Sequence, residues 1–250
     1  MRVYLASTAD SRINFNYTKP LYALETFCSG KKPCLQVLNC VGNDNFLLDS
    51  GAFTFMNSKK NISKDELCSY IDEYVSFIND FNIKYFFELD IDVICGYEKV
   101  KEIRAYLENK TKKRCIPVWH KSRGTDDYIE TCKSYNYIAI GGFAIKEIPK
   151  KKWGSIKKYV SIAHRLNTKV HGLGFTPTDL EKYNFDSVDS TSWKMHSIMG
   201  RKVCYFNGKQ ISTVDIKGNG KKVNIDKAIQ YSFIEWVKYQ HYMDKQKFKD

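Results

Sequence analysis

The amino-acid sequence predicts an α/β protein, a TIM-type (β/α)8 barrel formed by one domain over residues 1–250. Two observations support this prediction. Short apolar runs alternate with amphipathic helical patterns, which is typical of a parallel sheet covered by helices. Polar residues also recur where the apolar runs end, and barrel active sites lie at that end of the strands. The alternation alone leaves a doubly wound open sheet as the alternative.

Seven apolar runs are credible strands. They occupy residues 2–6, 45–53, 84–92, 115–120, 137–144, 169–175 and 185–191. The eighth strand is the weak point of the prediction, because residues 201–216 resemble a β-hairpin with Asn207-Gly208 at its turn. We assign residues 193–224 to a hairpin insertion. Helical spacing predicts a helix over 63–81 and a final helix over 225–243 that closes the outer ring.

The composition favours a polyanionic partner. Forty Lys and Arg residues against 28 Asp and Glu residues give a formal net charge of +12, which suits nucleic acid or an acidic membrane surface. The N-terminus lacks the apolar segment of a signal peptide, and no run approaches the roughly 18 apolar residues of a membrane span. We therefore expect a soluble, cytoplasmic protein without a membrane partner.

The eight cysteines do not predict a metal site. They are scattered along the chain, and even the evenly spaced Cys28, Cys34 and Cys40 lack the tight CxxC pairing that zinc sites favour. In a reducing compartment we expect most of them to be small buried hydrophobic residues.

Polar residues and glycines accumulate at the predicted strand ends. They are Asp49, Asp90, His120, Gly141, Gly142, Gly172 and Asp189. Each has an ordinary structural explanation when taken singly, such as helix capping for Asp49. Together they favour a catalytic rim. Asp186 and Asp189 stand three residues apart in one strand and so point to opposite faces, which means that only one of them can face the barrel lumen.

These strand-end motifs resemble, in order and over about two-thirds of the chain, those of the tRNA-guanine transglycosylase superfamily, whose fold is a (β/α)8 barrel. The matching segments are DSGAF at 49–53 (family DSGGF/Y), ELDID at 88–92 (FDE), GGFA at 141–144 (GGLA), VHGLGFTPTDL at 170–180 (LMGVGTPEDL) and FDSVDS at 185–190 (IDMFDC). IPVWH at 116–120 replaces the IVQG strand, so that Trp119-His120 stands where the family has Val-Gln.

The resemblance implies a role for each matched position. Asp189 is the implied nucleophile and Asp49 the implied general acid and base. Phe53 and His171 would sandwich a purine, Asp90 and His120 would read its polar edges, and the backbone at Gly141 and Gly142 would bind its carbonyl or its substituent at position 7. Ser50, Gly51 and Gly172, from the same motifs, complete the expected substrate-binding set.

The chain lacks the Cys-rich zinc subdomain of the tRNA enzymes, since only Cys204 remains after Asp189. In this it resembles the phage-type DNA-guanine transglycosylases, which insert 7-deazaguanine bases into DNA. The resemblance implies an enzyme without metal or cofactor, in the host-cell cytoplasm if a phage encodes it. Its expected partners are DNA, or alternatively tRNA, and a free 7-deazaguanine base such as preQ0 or a derivative.

Nucleic acid also needs cationic contacts. Trp193, Lys194 and Arg201, which follow the proposed nucleophile, are assigned to this role. Further candidates are the basic runs at 112–114, 150–152, 157–158, 201–202 and 221–222, although such runs are more often solvated faces.

Three other functions remain open at this point. They are base exchange in tRNA by the same carboxylates, base removal by a glycosylase that uses water, and non-catalytic binding of nucleic acid by a basic barrel. The sequence leaves the oligomeric state open.

Overall fold

Strand β1 (Arg2–Ala6) is an interior strand of the sheet, and its last four residues are buried. The computed structural model describes residues 1–52, 63–143, 145, 147–216 and 224–246. The other strands of the sheet are β2 (Ala23–Thr26), β3 (Phe46–Asp49), β4 (Val118–Trp119), β5 (Tyr137–Ile140), β6 (Lys169–Gly172) and β7 (Ser187–Ser190). All seven pair in parallel in the order β3-β2-β1-β7-β6-β5-β4. The predicted α/β class with a parallel sheet is confirmed.

The predicted strand at 84–92 is the main correction to the sheet. This segment makes one isolated parallel bridge to each edge of the sheet, Leu48 with Phe86 and Phe87 with Ile116. Glu88 accepts a hydrogen bond from the Val118 backbone N–H (2.7 Å), which holds the segment against β4, and another from Arg104 (2.5 Å) in the helix Tyr97–Thr111. The sheet is therefore curled and compatible with a TIM-type fold, but it is not a closed barrel of eight regular strands.

Strand β2, which pairs with both β1 and β3, was not predicted from the sequence. Its four residues include the charged Glu25, so they lack the continuous apolar run that identifies the other strands. The Glu25 carboxylate is buried and accepts hydrogen bonds from the Ala9 backbone N–H (2.9 Å) and the Thr8 hydroxyl (3.3 Å). A charge in a buried strand is tolerated here because the loop after β1 supplies these donors.

Helices connect the strands. They are α1 (Lys31–Val41), α2 (Lys64–Asp80), α3 (Asp92–Cys95), α4 (Tyr97–Thr111), α5 (Gly124–Ser134), α6 (Ile156–Arg165), α7 (Ser192–Gly200) and α8 (Ile225–Lys245). The helix predicted over 63–81 is confirmed as α2, which begins with a capping box between Ser63 and Glu66. None of the helices in the described ranges combines the length and apolarity needed to cross a lipid bilayer.

The chain after β7 forms a helix before the hairpin. Helix α7 covers residues that the sequence analysis placed in the hairpin insertion. Strands β8 (Lys202–Phe206) and β9 (Ile211–Asp215) then pair in antiparallel. The hairpin is attached to α8 by hydrogen bonds from the Cys204 backbone N–H to the Ser232 hydroxyl (3.0 Å) and from the Phe206 N–H to Glu235 (2.8 Å).

Alternate residues of the strands share one buried cluster. Its members include Tyr4, Leu24, Leu47, Val118 and Ala139, each from a different strand. Side chains two residues apart in a strand point to the same face of the sheet. Polar side chains near the C-terminal ends of β2, β3 and β7 therefore lie on the same face as this cluster. These side chains are Thr26, Asp49 and Asp189, and they cap the apolar cluster with a polar site.

Candidate functional site

A cavity of about 360 Å3 opens at the C-terminal ends of the strands. Its volume falls in the range of about 300–1,000 Å3 that is usual for small-molecule sites. The predicted site residues that line it are Asp49, Ser50, Asp90, His120, Gly142 and Asp189. Residues from at least five segments that are distant in sequence therefore converge on one cavity, at the end of the sheet where the sequence analysis expected a site.

Asp49 is the last residue of β3 and carries a perturbed carboxyl group. Its Oδ2 accepts a hydrogen bond from the Thr26 hydroxyl (2.9 Å) on the neighbouring strand. Burial, together with the negative charges of Asp189 and Asp90, raises the pKa of Asp49 to about 6, although hydrogen bonds from Thr26 and the Gly51 backbone oppose the rise. A carboxyl group with this pKa can both donate and accept a proton near neutral pH.

Asp189, on β7, is held differently. Its Oδ1 accepts a hydrogen bond from the Gly174 backbone N–H (2.6 Å) and lies 3.1 Å from Nε2 of His171. Asp186 lies elsewhere: its carboxylate contacts His164 (3.0 Å) and the Val170 backbone N–H (2.7 Å), at the N-terminal end of the strands. Of the two aspartates, Asp189 is therefore the one that shares a cavity with Asp49.

His171 does not lie where the resemblance implied. The ring was expected to stack against a purine, but the residue is fully buried and does not line the cavity. It packs between the rings of Tyr4 and Phe87, with centroid separations of 6.1 and 5.2 Å. An enclosed ring offers no face to a ligand, so the predicted stacking role of His171 is wrong. The ring instead lies beneath Asp189 and contacts its carboxylate. Phe53, the other expected stacking residue, lies outside the described residues.

His120 joins two carboxylates. Its Nε2 lies 2.7 Å from Asp90 and its Nδ1 lies 2.8 Å from Glu147. Burial lowers the pKa of His120, but the hydrogen bonds with Asp90 and Glu147 outweigh it and raise the pKa to about 9. His120 is therefore an imidazolium at neutral pH. Both of its nitrogens are occupied by protein groups, whereas each Asp90 oxygen can accept a second hydrogen bond, so Asp90 is better placed than His120 to meet a ligand.

Arg123 also contacts this cluster. Its guanidinium donates to Asp90 (3.2 Å) and to Asp92 (2.9 Å), and its side chain is 6% exposed. Asp90, Asp92 and His120 are residues that could hold a metal ion, since their ligand atoms lie within 4.8 Å of one another. Both carboxylates are already paired with Arg123, so an ion at this place would compete with the protein's own cations.

Gly142 is required by the packing of Glu147. It has a φ of +84°, and a Cβ added there would lie 2.8 Å from the Glu147 carboxylate. Gly141 is similarly restricted, because its added Cβ would lie 3.0 Å from the His120 ring. Gly51, Gly141 and Gly172 were expected to contact the substrate but do not line the cavity.

Ser50 offers an unused polar atom. The residue is 1% exposed and lines the cavity, and its Oγ has no hydrogen-bond partner among the residues that the structure describes. Buried hydroxyl groups normally have a partner. The Ser50 hydroxyl is therefore a buried polar atom at the cavity wall whose hydrogen-bond partner is not among the described residues.

The three residues assigned to nucleic acid have other surroundings. Trp193 is fully buried and donates from Nε1 to the Ala6 carbonyl (2.9 Å). Lys194 donates to the Ser7 carbonyl (2.9 Å) and lies 3.8 Å from Asp10, so it anchors the loop after β1. Arg201 is exposed but follows α7, about 14 Å along the helix from the residues next to Asp189. These contacts correct the assignment of Trp193 and Lys194 to structural positions, whereas a nucleic-acid contact of the exposed Arg201 stays a prediction.

Four residues of the site were not found by sequence analysis. Thr26, Arg123 and Gly174 contact the carboxylates, and Glu147 contacts His120. Arg123 and Glu147 each lie within six residues of a motif that was identified, but no pattern in the sequence distinguishes them from ordinary surface charges.

No protein-family model matches the chain, and a search of curated proteins found no match.

Proposed function

We propose that the chain is a pentosyltransferase that replaces guanine in DNA with a 7-deazaguanine derivative through a covalent glycosyl-aspartate intermediate. The observation that carries this proposal is the convergence of Asp49 and Asp189 on one cavity in unlike environments. Burial raises the pKa of Asp49 to about 6, whereas Asp189 accepts a backbone N–H. A pair of carboxyl groups whose environments differ in this way can divide the roles of acid–base catalyst and nucleophile.

In the first step, the bond between C1′ of the nucleotide and guanine breaks while Asp189 forms a bond to C1′. Protonated Asp49 donates its proton to the departing guanine. The products are free guanine, a glycosyl-aspartate ester at Asp189 and the carboxylate of Asp49.

In the second step, the incoming base attacks C1′ and Asp189 leaves as a carboxylate. Asp49 removes the proton that the incoming base loses, which restores its protonated form. The two carboxyl groups return to their starting states, and no water or cofactor is consumed.

The other cavity residues are suited to hold a purine. Asp90, fixed by His120 and Arg123, is an acceptor for ring and amino N–H groups, and the Ser50 hydroxyl is an additional partner. Val93 and Ile145, which are 81% and 49% exposed and line the cavity, supply apolar surface in place of His171.

DNA is the preferred substrate because the chain resembles the zinc-free enzymes and its net charge of +12 favours a polyanion. A stacked base cannot reach the cavity, so the enzyme acts on single strands or on a nucleotide flipped out of the duplex.

The proposal includes a complete eight-stranded barrel, with residues 85–88 as the eighth strand. The bridges of Phe86 to Leu48 and of Phe87 to Ile116 support this, since they connect the two edges of the sheet. Closure would place Asp49 and Asp189 on opposite sides of one lumen.

The test is release of label from guanine-labelled DNA and, separately, from labelled tRNA, with and without a free 7-deazaguanine base. We expect release from DNA that requires the incoming base and that falls by about a thousandfold or more in Asp189→Asn. Asp186→Asn is the matched control, because it alters a carboxylate of the same segment at the other end of the strands.

Other outcomes change the proposal in defined ways. Release of label from tRNA alone would show that tRNA, and not DNA, is the substrate. Release that does not need the incoming base would indicate a glycosylase. If neither nucleic acid releases label while the protein is folded, the chain is not a base-exchange enzyme.

A further inference from the structure

A chain of hydrogen bonds runs beneath Asp189. The Asp189 Oδ1 lies 3.1 Å from Nε2 of His171, and Nδ1 of His171 lies 2.7 Å from the Ser187 hydroxyl. The Ser187 oxygen in turn lies 2.5 Å from the hydroxyl of Tyr137. The four residues come from β5, β6 and β7, so this series of hydrogen bonds, which we call the relay, crosses three adjacent strands below the cavity.

The direction of these bonds follows from elementary chemistry. An ionised carboxylate only accepts hydrogen bonds, so Nε2 of His171 carries the proton in its contact with Asp189. A neutral imidazole then accepts at Nδ1, which requires Ser187 to donate. The Ser187 oxygen is left to accept from Tyr137. Each donor therefore points towards Asp189, and a single tautomer of His171 satisfies all three contacts.

The same contacts distinguish the two oxygens of Asp189. Oδ1 receives two donors, His171 Nε2 and the Gly174 backbone N–H (2.6 Å). Oδ2 accepts no hydrogen bond from the residues that the structure describes, and Asp189 lines the cavity. Oδ2 is therefore the oxygen free to attack C1′.

We propose that His171 is a positioning residue that holds Oδ1 of Asp189 and directs Oδ2 into the cavity, and that Ser187 and Tyr137 keep its ring in the Nε2–H tautomer. The inference rests on the proposed role of Asp189 as nucleophile. Complete burial of the His171 ring between Tyr4 and Phe87 supports it, because the ring has no room to turn and exchange its nitrogens.

The tautomer can be measured without catalysis. We would record 15N spectra of the imidazole rings in the wild type, assigning His171 among the five histidines with His171→Gln. The expected result is protonation at Nε2 and not at Nδ1. In Ser187→Ala, which lacks the donor to Nδ1, Nε2 should stay protonated against Asp189, and the 15N shift of Nδ1 should move to that of a nitrogen that accepts no hydrogen bond. A wild-type ring protonated at Nδ1, or at both nitrogens, would overturn the relay.

The positioning role is tested by the rate of base exchange. His171→Ala should lower kcat roughly tenfold to hundredfold, the loss of a hydrogen bond to a charged group, while KM changes less than about twofold. His171→Gln should restore part of kcat, because its amide N–H can replace Nε2–H. An unchanged kcat in folded His171→Ala contradicts the role.

Tyr137→Phe provides a second test if His171→Ala fails to fold. It removes one hydroxyl and should lower kcat by about 2- to 10-fold. Tyr85→Phe is the matched control, because the Tyr85 ring contacts Tyr137 at 6.4 Å but its hydroxyl is not part of the relay. Equal rates in the two variants would contradict the relay. If the wild type exchanges no base, the proposed function fails, and the 15N spectra still decide the arrangement of His171.

Discussion

The Asp49 carboxyl group is buried next to two other aspartates, so ionising it works against folding. Burial and the charges of Asp189 and Asp90 raise the pKa of Asp49 from 3.8 to about 6. A pKa raised on folding means that the protonated form is preferred in the folded state. The stabilising effect is complete below pH 3.8 and is lost as the pH rises through about 6.

We predict that Asp49→Asn, which mimics the protonated form, is more stable than the wild type at pH 8, by up to about 3 kcal/mol, and equally stable below pH 4. The free energy of unfolding in urea between pH 3.5 and 8 measures this. Glu130→Gln, on the exposed side of α5, serves as the control. If the difference in the free energy of unfolding between Asp49→Asn and the wild type did not vary with pH, ionisation of Asp49 would not destabilise the fold.

His120 makes the opposite contribution. Burial lowers its pKa, but Asp90 and Glu147 raise the pKa from 6.5 to about 9, so its charged form stabilises the fold below pH 6.5 and this effect is lost as the pH rises through about 9. We predict that Glu147→Gln reduces the loss of stability between pH 7 and 9. The free energy of unfolding in urea, measured across that pH range, tests this prediction. If it falls equally steeply with pH in the wild type and in Glu147→Gln, the ion pair does not stabilise the fold.

At the scale of elements, the loop between β5 and α6 is shaped by close packing around Gly142. Strand β5 ends at Ile140, and the loop must turn so that Glu147 reaches His120 at the end of β4. The positive φ of Gly142 produces this turn, and the missing Cβ leaves space for the carboxylate.

We expect Gly142→Ala to lower the free energy of unfolding by about 1–3 kcal/mol, because it combines backbone strain with a contact of 2.8 Å to Glu147. Gly154→Ala in the same connection is the control, since no atom lies within 4 Å of its added Cβ. Denaturant unfolding of the two variants gives the comparison, and equal stabilities would contradict this account of the loop.

At the scale of the whole molecule, the topology divides the basic runs between two ends. In a βα unit, residues that follow a strand lie at the end with the cavity, and residues that precede a strand lie at the other end. The run Lys150–Lys152 leads into α6 after β5, whereas residues 112–114 precede the segment at Ile116. The run at 221–222 lies outside the described residues. Sequence alone ranked these runs as equals.

We therefore predict that replacing Lys150, Lys151 and Lys152 with Ala weakens binding to single-stranded DNA and reduces the slope of log K against log salt concentration by about 0.7 for each lost phosphate contact. Replacing Lys110 and Lys133, which precede strands, together with Lys169, the first residue of β6, should leave the affinity and the slope unchanged. Fluorescence anisotropy at several salt concentrations measures affinity and slope. Equal losses in the two triple variants would show that binding is not confined to the cavity end.

The sequence by itself determined the α/β class, most of the strands and the positions of Asp49, Asp90, His120 and Asp189 at strand ends. These features depend on local periodicity, which neighbouring residues carry. Tertiary structure alone decided that β2 is a strand, that Asp189 rather than Asp186 shares the cavity with Asp49, and that His171 lies beneath Asp189. It also brought Glu147 and Arg123 to the site. Each of these depends on pairing between segments distant in sequence, and no local pattern records which segments will meet.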